Sequence, residues 1–333
     1  MNPRVKTLLA VLIGIAIALA MPHVIYPVLA LNILLWGLFA VAVDLLLGYG
    51  GLLSFGHAAF WGSGGYTAAI LARNFQLPFP LAVLAGIAVG VALALPIGYL
   101  SIRRRGIYFA MVTLAFAQMV FYAVNEWRPL TGGENGVQGV PRLFPGLNLD
   151  PPLAFYYAAL PFVLAGLWLT YRIVRSPFGH VLVSIRDNEP RAQALGYPTH
   201  RYKLLAFLLS AGLAALAGSL FTVGNGFASL DQVNWTTSGT VVMMTILGGI
   251  GTLWGNLLGA AFVLLLQDWL STWTNAPGVV TGALFIVAVL AFRRGLWVAL
   301  LNLPQRVRRL TGKTREEPHE LAAGQADAPH LAK

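Results

Sequence analysis

The densest group of polar side chains in this chain of 333 residues lies between Ser176 and Lys203, a stretch that we call the polar segment. Apolar sequence flanks it on both sides. Charged and amide groups stay together in such surroundings only where water or another protein satisfies them. We therefore predict that the polar segment is a docking surface for a partner protein. Its polar members include Arg186, Asp187, Asn188, Glu189, Arg191, Gln193, His200, Arg201 and Lys203.

The sequence lacks the motifs of the common catalytic and metal sites. It has no H-E-x-x-H, no G-x-S-x-G, no cluster of acids and histidines with metal-ligand spacing, and no cysteine. Gly312-Lys313-Thr314 imitates the end of a nucleotide-binding P-loop, but Val307 stands where the first glycine of that motif belongs. We predict no catalytic residue and no metal site in this chain, so that any ATPase would be a separate subunit.

Composition places the chain among membrane proteins. Hydrophobic residues make up 57% of it and charged residues only 10%, whereas soluble domains carry about 25% charged residues. Because a membrane-spanning helix needs roughly 20 mostly apolar residues, we predict an all-α polytopic membrane protein with about ten transmembrane helices, nine to eleven being compatible. The eighth predicted span is short and is also compatible with a re-entrant segment. The spans are 7–26, 29–47, 57–73, 79–100, 107–125, 152–174, 203–223, 237–250, 253–272 and 277–292.

The basic residues indicate how these spans are oriented. The net charge of +10 comes largely from residues that flank the spans, so topology explains it better than nucleic-acid binding does. With the N-terminus inside, only Arg73, Arg128 and Arg142 lie outside, and both chain ends and the polar segment are cytoplasmic. We expect residues 1–310 to form the transmembrane domain and residues 311–333 a polar, disordered cytoplasmic tail. The cytoplasmic residues are Arg4, Lys6, Arg103, Arg104, Arg105, Arg172, Arg175, Arg186, Arg191, Arg201, Lys203, Arg293, Arg294, Arg306, Arg308, Arg309, Lys313, Arg315 and Lys333.

A first glycine-rich stretch separates the second and third spans. Irregular backbone at membrane depth survives only where protein or a water-filled cavity satisfies its polar groups, and transporters use broken helices along their substrate paths. A membrane-embedded acid is also a functional candidate, although Asp268, near the outer end of its span, is a weaker one. Close packing after a tight turn is an open alternative, and His57 is equally compatible with a hydrogen-bonded packing role. The candidate pathway residues are Asp44, Gly48, Gly50, Gly51, Ser54 and His57.

A second glycine-rich stretch runs from Gly248 to Gly259. Gly251, Gly255 and Gly259 recur every four residues, which places them on one face of a helix and lets another helix approach closely. We predict a helix-packing role for these three glycines. The L-G-Y-G-G and L-G-G-I-G stretches look alike, but both junctions fall on the cytoplasmic side, which does not suit an inverted repeat.

Capping signals divide the polar segment into two short helices. Ser176 and Pro177 are typical of a helix start, and Val181, Leu182 and Ile185 supply an apolar side. Asp187 and Asn188 can cap a second helix from Glu189 to Leu195, which Gly196 and Pro198 would end.

The second of these helices carries a specific resemblance. The pattern I-R-x-N-E-x-x-A-x-A-L-G over 185–196 is similar to the E-A-A-type coupling loop of ABC importer permeases, and the chain resembles the LivM family of branched-chain amino acid permeases. Further similar stretches are 48–66, 106–118, 131–141 and 247–259, so the resemblance covers most of residues 30–275. Pro190 departs from the family's more helix-friendly choice, but the first turn of a helix accommodates proline.

The resemblance implies an inner-membrane permease subunit of an ABC importer that moves branched-chain or other hydrophobic amino acids. It implies as partners a homologous LivH-like permease subunit, two cytoplasmic ATPases, and a periplasmic or lipid-anchored binding protein, all in membrane lipid. No cofactor would bind this chain, since ATP and Mg²⁺ would lie on the ATPases. The coupling residues would be Arg186, Asp187, Asn188, Glu189, Ala192, Ala194, Leu195 and Gly196.

Other functions remain as alternatives. A permease of the same superfamily could carry urea, amides or sugars. An ion-coupled secondary transporter should show polar residues deep in its spans, and this chain offers little beyond Asp44.

Overall fold

The computed structural model describes residues 3–273, together with residues 278, 280, 282, 283, 285, 286 and 295–299, and it describes side chains from Gly14 onward. Most of the predicted span 277–292 and all of the predicted tail 311–333 lie outside the described residues, as do Arg293, Arg294 and the basic residues that follow them.

Helices dominate the described part of the chain, which confirms the all-α class. Each of the first nine predicted spans coincides with one helix. The helices are α1 (Pro3–Val24), α2 (Pro27–Asp44), α3 (His57–Asn74), α4 (Phe79–Ser101), α5 (Ile107–Glu126), α6 (Arg128–Thr131), α7 (Pro152–Val174), α8 (Pro177–Asp187), α9 (Glu189–Ala194), α10 (Thr199–Asn225), α11 (Trp235–Gly248) and α12 (Leu253–Ser271).

Within the described residues, six helical segments are long and apolar enough to cross a membrane. α11 has 14 residues and is therefore about 21 Å long, which is less than the roughly 30 Å of a hydrocarbon core. The structure thus supports a polytopic membrane protein, while the number of crossings stays a prediction. The six segments are Pro27–Tyr49, Phe79–Ser101, Ile107–Glu126, Pro152–Val174, Thr199–Asn225 and Leu253–Ser271.

α2 runs through the centre of the bundle. Its sequence is apolar on all sides, as expected for a helix that other helices surround, and it packs against α7, α10, α11 and α12. Phe39 of α2 stacks on Trp61 of α3 with 4.5 Å between ring centroids, and Phe221 of α10 lies 5.1 Å from Trp61. α2 therefore lies between α3 and α10, which its aromatic side chains contact, and α7, α11 and α12.

Small residues bring α3, α4 and α10 into close contact. A Cβ on Gly218 would collide with the Trp61 carbonyl, and one on Gly64 would lie 2.7 Å from the Ala215 carbonyl oxygen. A Cβ on Gly86 would lie 2.7 Å from the Gly64 carbonyl oxygen. Without a side chain at these positions, the helix backbones approach each other as small-residue interfaces in membranes do.

The junctions between consecutive long helices lie alternately at the two ends of the bundle. The junctions α2–α3, α4–α5 and α11–α12 lie beside the polar segment, as contacts described below show. At the opposite end, the Tyr26 hydroxyl before α2 donates to Asp268 Oδ1 near the end of α12 at 2.5 Å, and Tyr157 OH lies 3.1 Å from His23 Nε2. This grouping matches the sides that the sequence analysis assigned to these junctions.

The two longest loops at the end opposite the polar segment pair with each other. Strands β1 (Val137–Gln138) and β2 (Phe227–Ala228) form an antiparallel ladder in which Val137 pairs with Ala228. Arg142 extends the link, since its guanidinium donates to the Asp150 and Gly224 carbonyls at 2.6 Å each. Partial burial lowers the pKa of this guanidinium, and the nearby Asp150 offsets only part of that decrease. The loops therefore form one ordered cap.

Candidate functional site

The polar segment folds as the two short helices that the capping signals predicted, α8 and α9. The Ser176 side chain accepts a hydrogen bond from Gly179 N at 3.4 Å, and Asn188 Oδ1 accepts one from Arg191 N at 3.0 Å. Pro190 lies in the first turn of α9, where a helix needs no donor from it. Gly196 follows the helix with φ +88°, the left-handed conformation that glycine adopts readily at a helix end.

The two helices have an inner face and an outer face. Leu182 and Ile185 of α8 and Ala192 of α9 are buried against the bundle. Leu195 and Tyr197, at the end of α9, are 71% and 41% exposed. The tip of α9 therefore presents two large side chains, one aliphatic and one aromatic, to the surroundings.

Glu189 binds to its own chain. Its carboxylate pairs with Lys203 Nζ at 2.7 Å and with Arg105 Nε at 3.1 Å, and its side chain is 14% exposed. Lys203 is itself 5% exposed. Glu189 therefore fixes the start of α9 to α10 and to the α4–α5 junction.

Arg186 joins the polar segment to the first glycine-rich stretch. Its Nη1 donates to the Gly48 carbonyl at 2.5 Å, while Nε and Nη2 donate to Asp187 Oδ1 at 3.0 and 2.9 Å. Gly51 has φ +67°, and a Cβ there would lie 2.6 Å from Cγ of Arg186. The absence of a side chain at Gly51 leaves room for the arginine stem.

Asp44 joins the two glycine-rich stretches. It is 1% exposed, and its carboxylate accepts hydrogen bonds from Gly251 N and Asn256 Nδ2, each at 2.8 Å. A Cβ on Gly48 would collide with this carboxylate, so the glycine leaves space for it. Tyr49 OH donates to the Gly251 carbonyl at 2.9 Å. Hydrogen bonds therefore hold the α2–α3 and α11–α12 junctions together beside the polar segment.

The chain between α2 and α3 leaves the α-helical path in two steps. Leu45–Tyr49 forms a π-helical turn, and Gly50 to Gly56 is irregular. Side chains from other helices satisfy its backbone, since Thr113 Oγ1 accepts from Phe55 N at 3.2 Å and Ser238 Oγ accepts from Ala58 N at 2.8 Å. This is how broken backbone survives inside a membrane protein.

Ser54 and His57 are both buried at this break. Ser54 Oγ accepts from Gly56 N at 3.2 Å. His57 Nε2 lies 2.7 Å from Ser210 Oγ, which in turn donates to the Ala42 carbonyl at 2.5 Å. His57 thus bridges α3 to α10 and α2, an arrangement that favours the packing interpretation of this residue.

Gly255 and Gly259 lie where α12 meets α11. A Cβ on Gly255 would lie 2.5 Å from the Gly248 carbonyl oxygen, and one on Gly259 would collide with the Met244 carbonyl. The prediction that Gly251 shares this helix face is wrong, because α12 begins at Leu253 and Gly251 has φ +79° in the preceding turn. Its backbone N–H binds Asp44 instead.

A polar cavity of about 330 Å³ opens beside these contacts. It is lined by Gly50–Leu52, Arg105–Gly106, Ile185–Pro190 and Lys203. Among the residues that the structure describes, no group of three His, Asp or Glu side chains is placed to hold a metal ion. The charged side chains of this lining come from the polar segment and from the α4–α5 junction.

Comparison with known proteins identifies the family. The model of the branched-chain amino acid transport system / permease component family matches residues 25–290 of this chain. The chain belongs to this family. The resemblance of the sequence to LivM-type permeases is thereby confirmed, and the protein is an ABC transporter permease, a class of subunits that are not themselves enzymes.

Individual relatives agree with this assignment. The LivM high-affinity branched-chain amino acid permease of Escherichia coli (strain K12) is 28% identical over 287 residues, which cover 78% of this chain and 67% of the relative. The autoinducer 2 import permease LsrC of Klebsiella pneumoniae is 32% identical over 231 residues, covering 60% and 64%. The inner membrane ABC transporter permease YjfF of E. coli is 27% identical over 258 residues, covering 68% and 69%. No solved structure gives a significant match.

Several residues of this site were missed by the sequence analysis. Asn256, Ser210 and Thr113 each donate or accept at a glycine-rich junction, yet each is a single polar residue in an apolar stretch. Such isolated amides and hydroxyls could have indicated contacts between helices, because a polar side chain in an apolar helix needs a partner inside the bundle. The sequence analysis assigned Arg105 only to the cytoplasmic side. Its pairing with Glu189 can be identified only from the folded structure.

Proposed function

We propose that this permease imports branched-chain or other hydrophobic amino acids as a transmembrane subunit of an ABC importer that works by alternating access. ATP would be hydrolysed, with Mg²⁺, by ATPase subunits on separate chains. The substrate class is inferred from the LivM relatives, whose similarity extends over 78% of this chain. The observation that carries the coupling part of the proposal is the placement of α8 and α9. Their tip is exposed. Arg186 of α8 is hydrogen-bonded to the first glycine-rich stretch, and Asp44 joins that stretch to the second.

The contacts suggest a route for the coupling. An ATPase that binds the exposed tip of α9 would also move α8, because only Asn188 separates the two helices. Arg186 would pass this movement to the Gly48 carbonyl at the π-helical turn of α2. Asp44 would pass it on to Gly251 and so to α11 and α12. The position of α2, the central helix, would thereby depend on the state of the ATPase.

Each end of the bundle would face a different compartment and a different partner. The end with the polar segment would face the cytoplasm, with both chain ends on that side of the bacterial inner membrane. The opposite end, with its paired loops, would receive the substrate-binding protein. A homologous LivH-like permease would complete the pore.

A second substrate class is favoured by a specific observation. The relative with 32% identity is named an autoinducer 2 import permease. A polar, sugar-like cargo is therefore the alternative to a hydrophobic amino acid, and urea or amides remain further alternatives within the superfamily.

Uptake by the reconstituted complex tests this proposal. Liposomes containing this permease, its second permease subunit and the ATPases are supplied with binding protein, internal or external ATP, and radiolabelled leucine. We expect leucine uptake only when ATP is on the ATPase side. Uptake of a pentose or of autoinducer 2 instead of leucine would replace the substrate class, and ATP-independent uptake coupled to an ion gradient would overturn the importer proposal itself.

A further inference from the structure

An apolar groove lies on the side of the bundle between α1, α7 and α12. Its volume is about 670 Å³. α7 lines it from Leu160 to Arg175, α12 lines it with Trp254 and Leu257, and α1 contributes Ala18. Neither Asp44 nor any glycine of the two glycine-rich stretches lines it, so the groove is separate from the hydrogen bonds described above.

The length of the groove matches a lipid chain. Hydrogen bonds tie α1 to α7 at the end opposite the polar segment, where Tyr156 OH donates to the Ala18 carbonyl and Tyr157 OH donates to the Leu19 carbonyl at 3.1 Å. From Leu160 to Arg175 the rise of α7 is about 22 Å, more than half the roughly 30 Å of a hydrocarbon core. A groove of this length and polarity can hold one acyl chain of a single leaflet.

The end of the groove near the polar segment is basic and aromatic. Arg175 lines the groove with its guanidinium carbon 4.5 Å from the centre of the Tyr171 ring. Arg172, one turn away from Trp168, lies 5.9 Å from the centre of that ring. Aromatic and basic residues together mark the membrane interface, and basic pockets between transmembrane helices on the cytoplasmic side bind anionic lipid head groups.

We propose that this groove is a binding site for one anionic phospholipid. One acyl chain lies between α1, α7 and α12, and the phosphate binds the guanidinium group of Arg175, which lines the groove. Guanidinium groups fit phosphate oxygens with two parallel hydrogen bonds. A zwitterionic lipid carries an ammonium group that offsets the phosphate charge, so the site prefers an anionic head group. The bound chain fills the space between α1 and the rest of the bundle.

Native mass spectrometry of the full-length permease tests this site. The protein is released from nanodiscs that contain phosphatidylglycerol and phosphatidylcholine with identical acyl chains. The wild type should retain phosphatidylglycerol preferentially, and Arg175→Ala should lower the retained amount about tenfold, as expected for the loss of a charged hydrogen bond. Leu164→Trp, which fills the groove and keeps both arginines, should lower it as well.

The matched control is Arg103→Ala. The Arg103 guanidinium carbon lies 4.5 Å from the centre of the Tyr99 ring, the same geometry as Arg175 over Tyr171, but it does not line the groove. This variant should retain phosphatidylglycerol like the wild type, and thermal unfolding of each variant identifies any loss that comes from misfolding.

Three outcomes would overturn the proposal. Equal losses in Arg103→Ala and Arg175→Ala would show a general attraction of anionic lipid to the basic end. Displacement of the lipid by inorganic phosphate alone would show an anion site without an acyl chain. Unchanged retention in both Arg175→Ala and Leu164→Trp would mean that another part of this chain or a second permease subunit covers the groove.

Discussion

The two glycine-rich stretches have similar sequences and lie at the same end of the molecule, but their glycines leave space for different groups. In the first stretch, Gly48 leaves room for the Asp44 carboxylate and Gly51 for the stem of Arg186. In the second, Gly255 and Gly259 leave room for the backbone of α11. The first set therefore admits polar side chains, with Gly48 also allowing Gly251 N to approach, and the second set brings the backbones of two helices together.

The difference matters because side chains and backbones respond differently to a change. A side chain that loses its space can rotate away at a modest cost, whereas a helix backbone can only move as a unit. The first stretch is therefore suited to an element that changes its contacts during a transport cycle. The second is suited to a fixed support, which keeps α11 and α12 together as one unit. The predictions below test this distinction, beginning with the largest effect.

Replacing Gly259 with valine should cause the largest loss. Its Cβ would collide with the Met244 carbonyl and lie 2.8 Å from Gly248 N, so α11 and α12 must separate. We expect a destabilisation of about 3 kcal/mol, visible as a lower midpoint of thermal unfolding in detergent. Gly239→Ala is the control, because a Cβ at Gly239 of α11 has no neighbour within 4 Å. A Gly259→Val protein as stable as Gly239→Ala would refute the fixed-support interpretation.

Replacing Asp44 with alanine should rank second. It leaves the buried N–H of Gly251 and the amide of Asn256 without their acceptor, and an unsatisfied buried group costs about 1–3 kcal/mol. Asp44→Asn keeps one acceptor oxygen and should lose less stability. Unfolding of the two variants compared with wild type measures this difference. Equal losses in both would mean that the negative charge, and not hydrogen-bond acceptance, matters at this position.

Replacing Gly251 with alanine should have a smaller effect than either change. No atom lies within 4 Å of a Cβ at this position, so only the conformation with φ +79° opposes the substitution. A left-handed conformation costs a non-glycine residue about 1–2 kcal/mol. Gly251→Asn should be milder still, since asparagine visits this region more readily. A loss as large as that of Gly259→Val would show that Gly251 is a packing residue after all.

Replacing Arg186 with alanine should leave stability nearly unchanged and affect coupling. The side chain is partly exposed, with 39% of its surface accessible, and its loss removes the hydrogen bond to the Gly48 carbonyl. We expect the ATPases still to co-purify, with substrate-stimulated ATP hydrolysis reduced about tenfold, the equivalent of one hydrogen bond to a charged group. Arg104→Ala, which changes an exposed arginine at the α4–α5 junction outside the polar segment, is the control. Equal losses in both variants would contradict a specific role for the Arg186–Gly48 contact.

Local features of this fold were predictable, and distant pairings were not. Ser176 and Asn188 cap α8 and α9 as expected because capping depends on residues three or fewer positions away. The bond between Asp44 and Gly251 joins residues 207 positions apart, and no local pattern encodes it. Gly251 looked like a packing glycine because its spacing fits G-x-x-x-G, but spacing does not reveal that the helix starts two residues later.

The central claim is that the tip of α9 docks an ATPase subunit, and a single pull-down tests it most directly. Leu195→Asp places a charge on a side chain that is 71% exposed, so the fold should tolerate it. Leu147→Asp changes a 60% exposed leucine in the loops at the opposite end. The full complex is purified through a tag on this permease, and the bound ATPase is quantified. We predict that Leu195→Asp loses the ATPase while Leu147→Asp retains it; full retention in Leu195→Asp would contradict the claim.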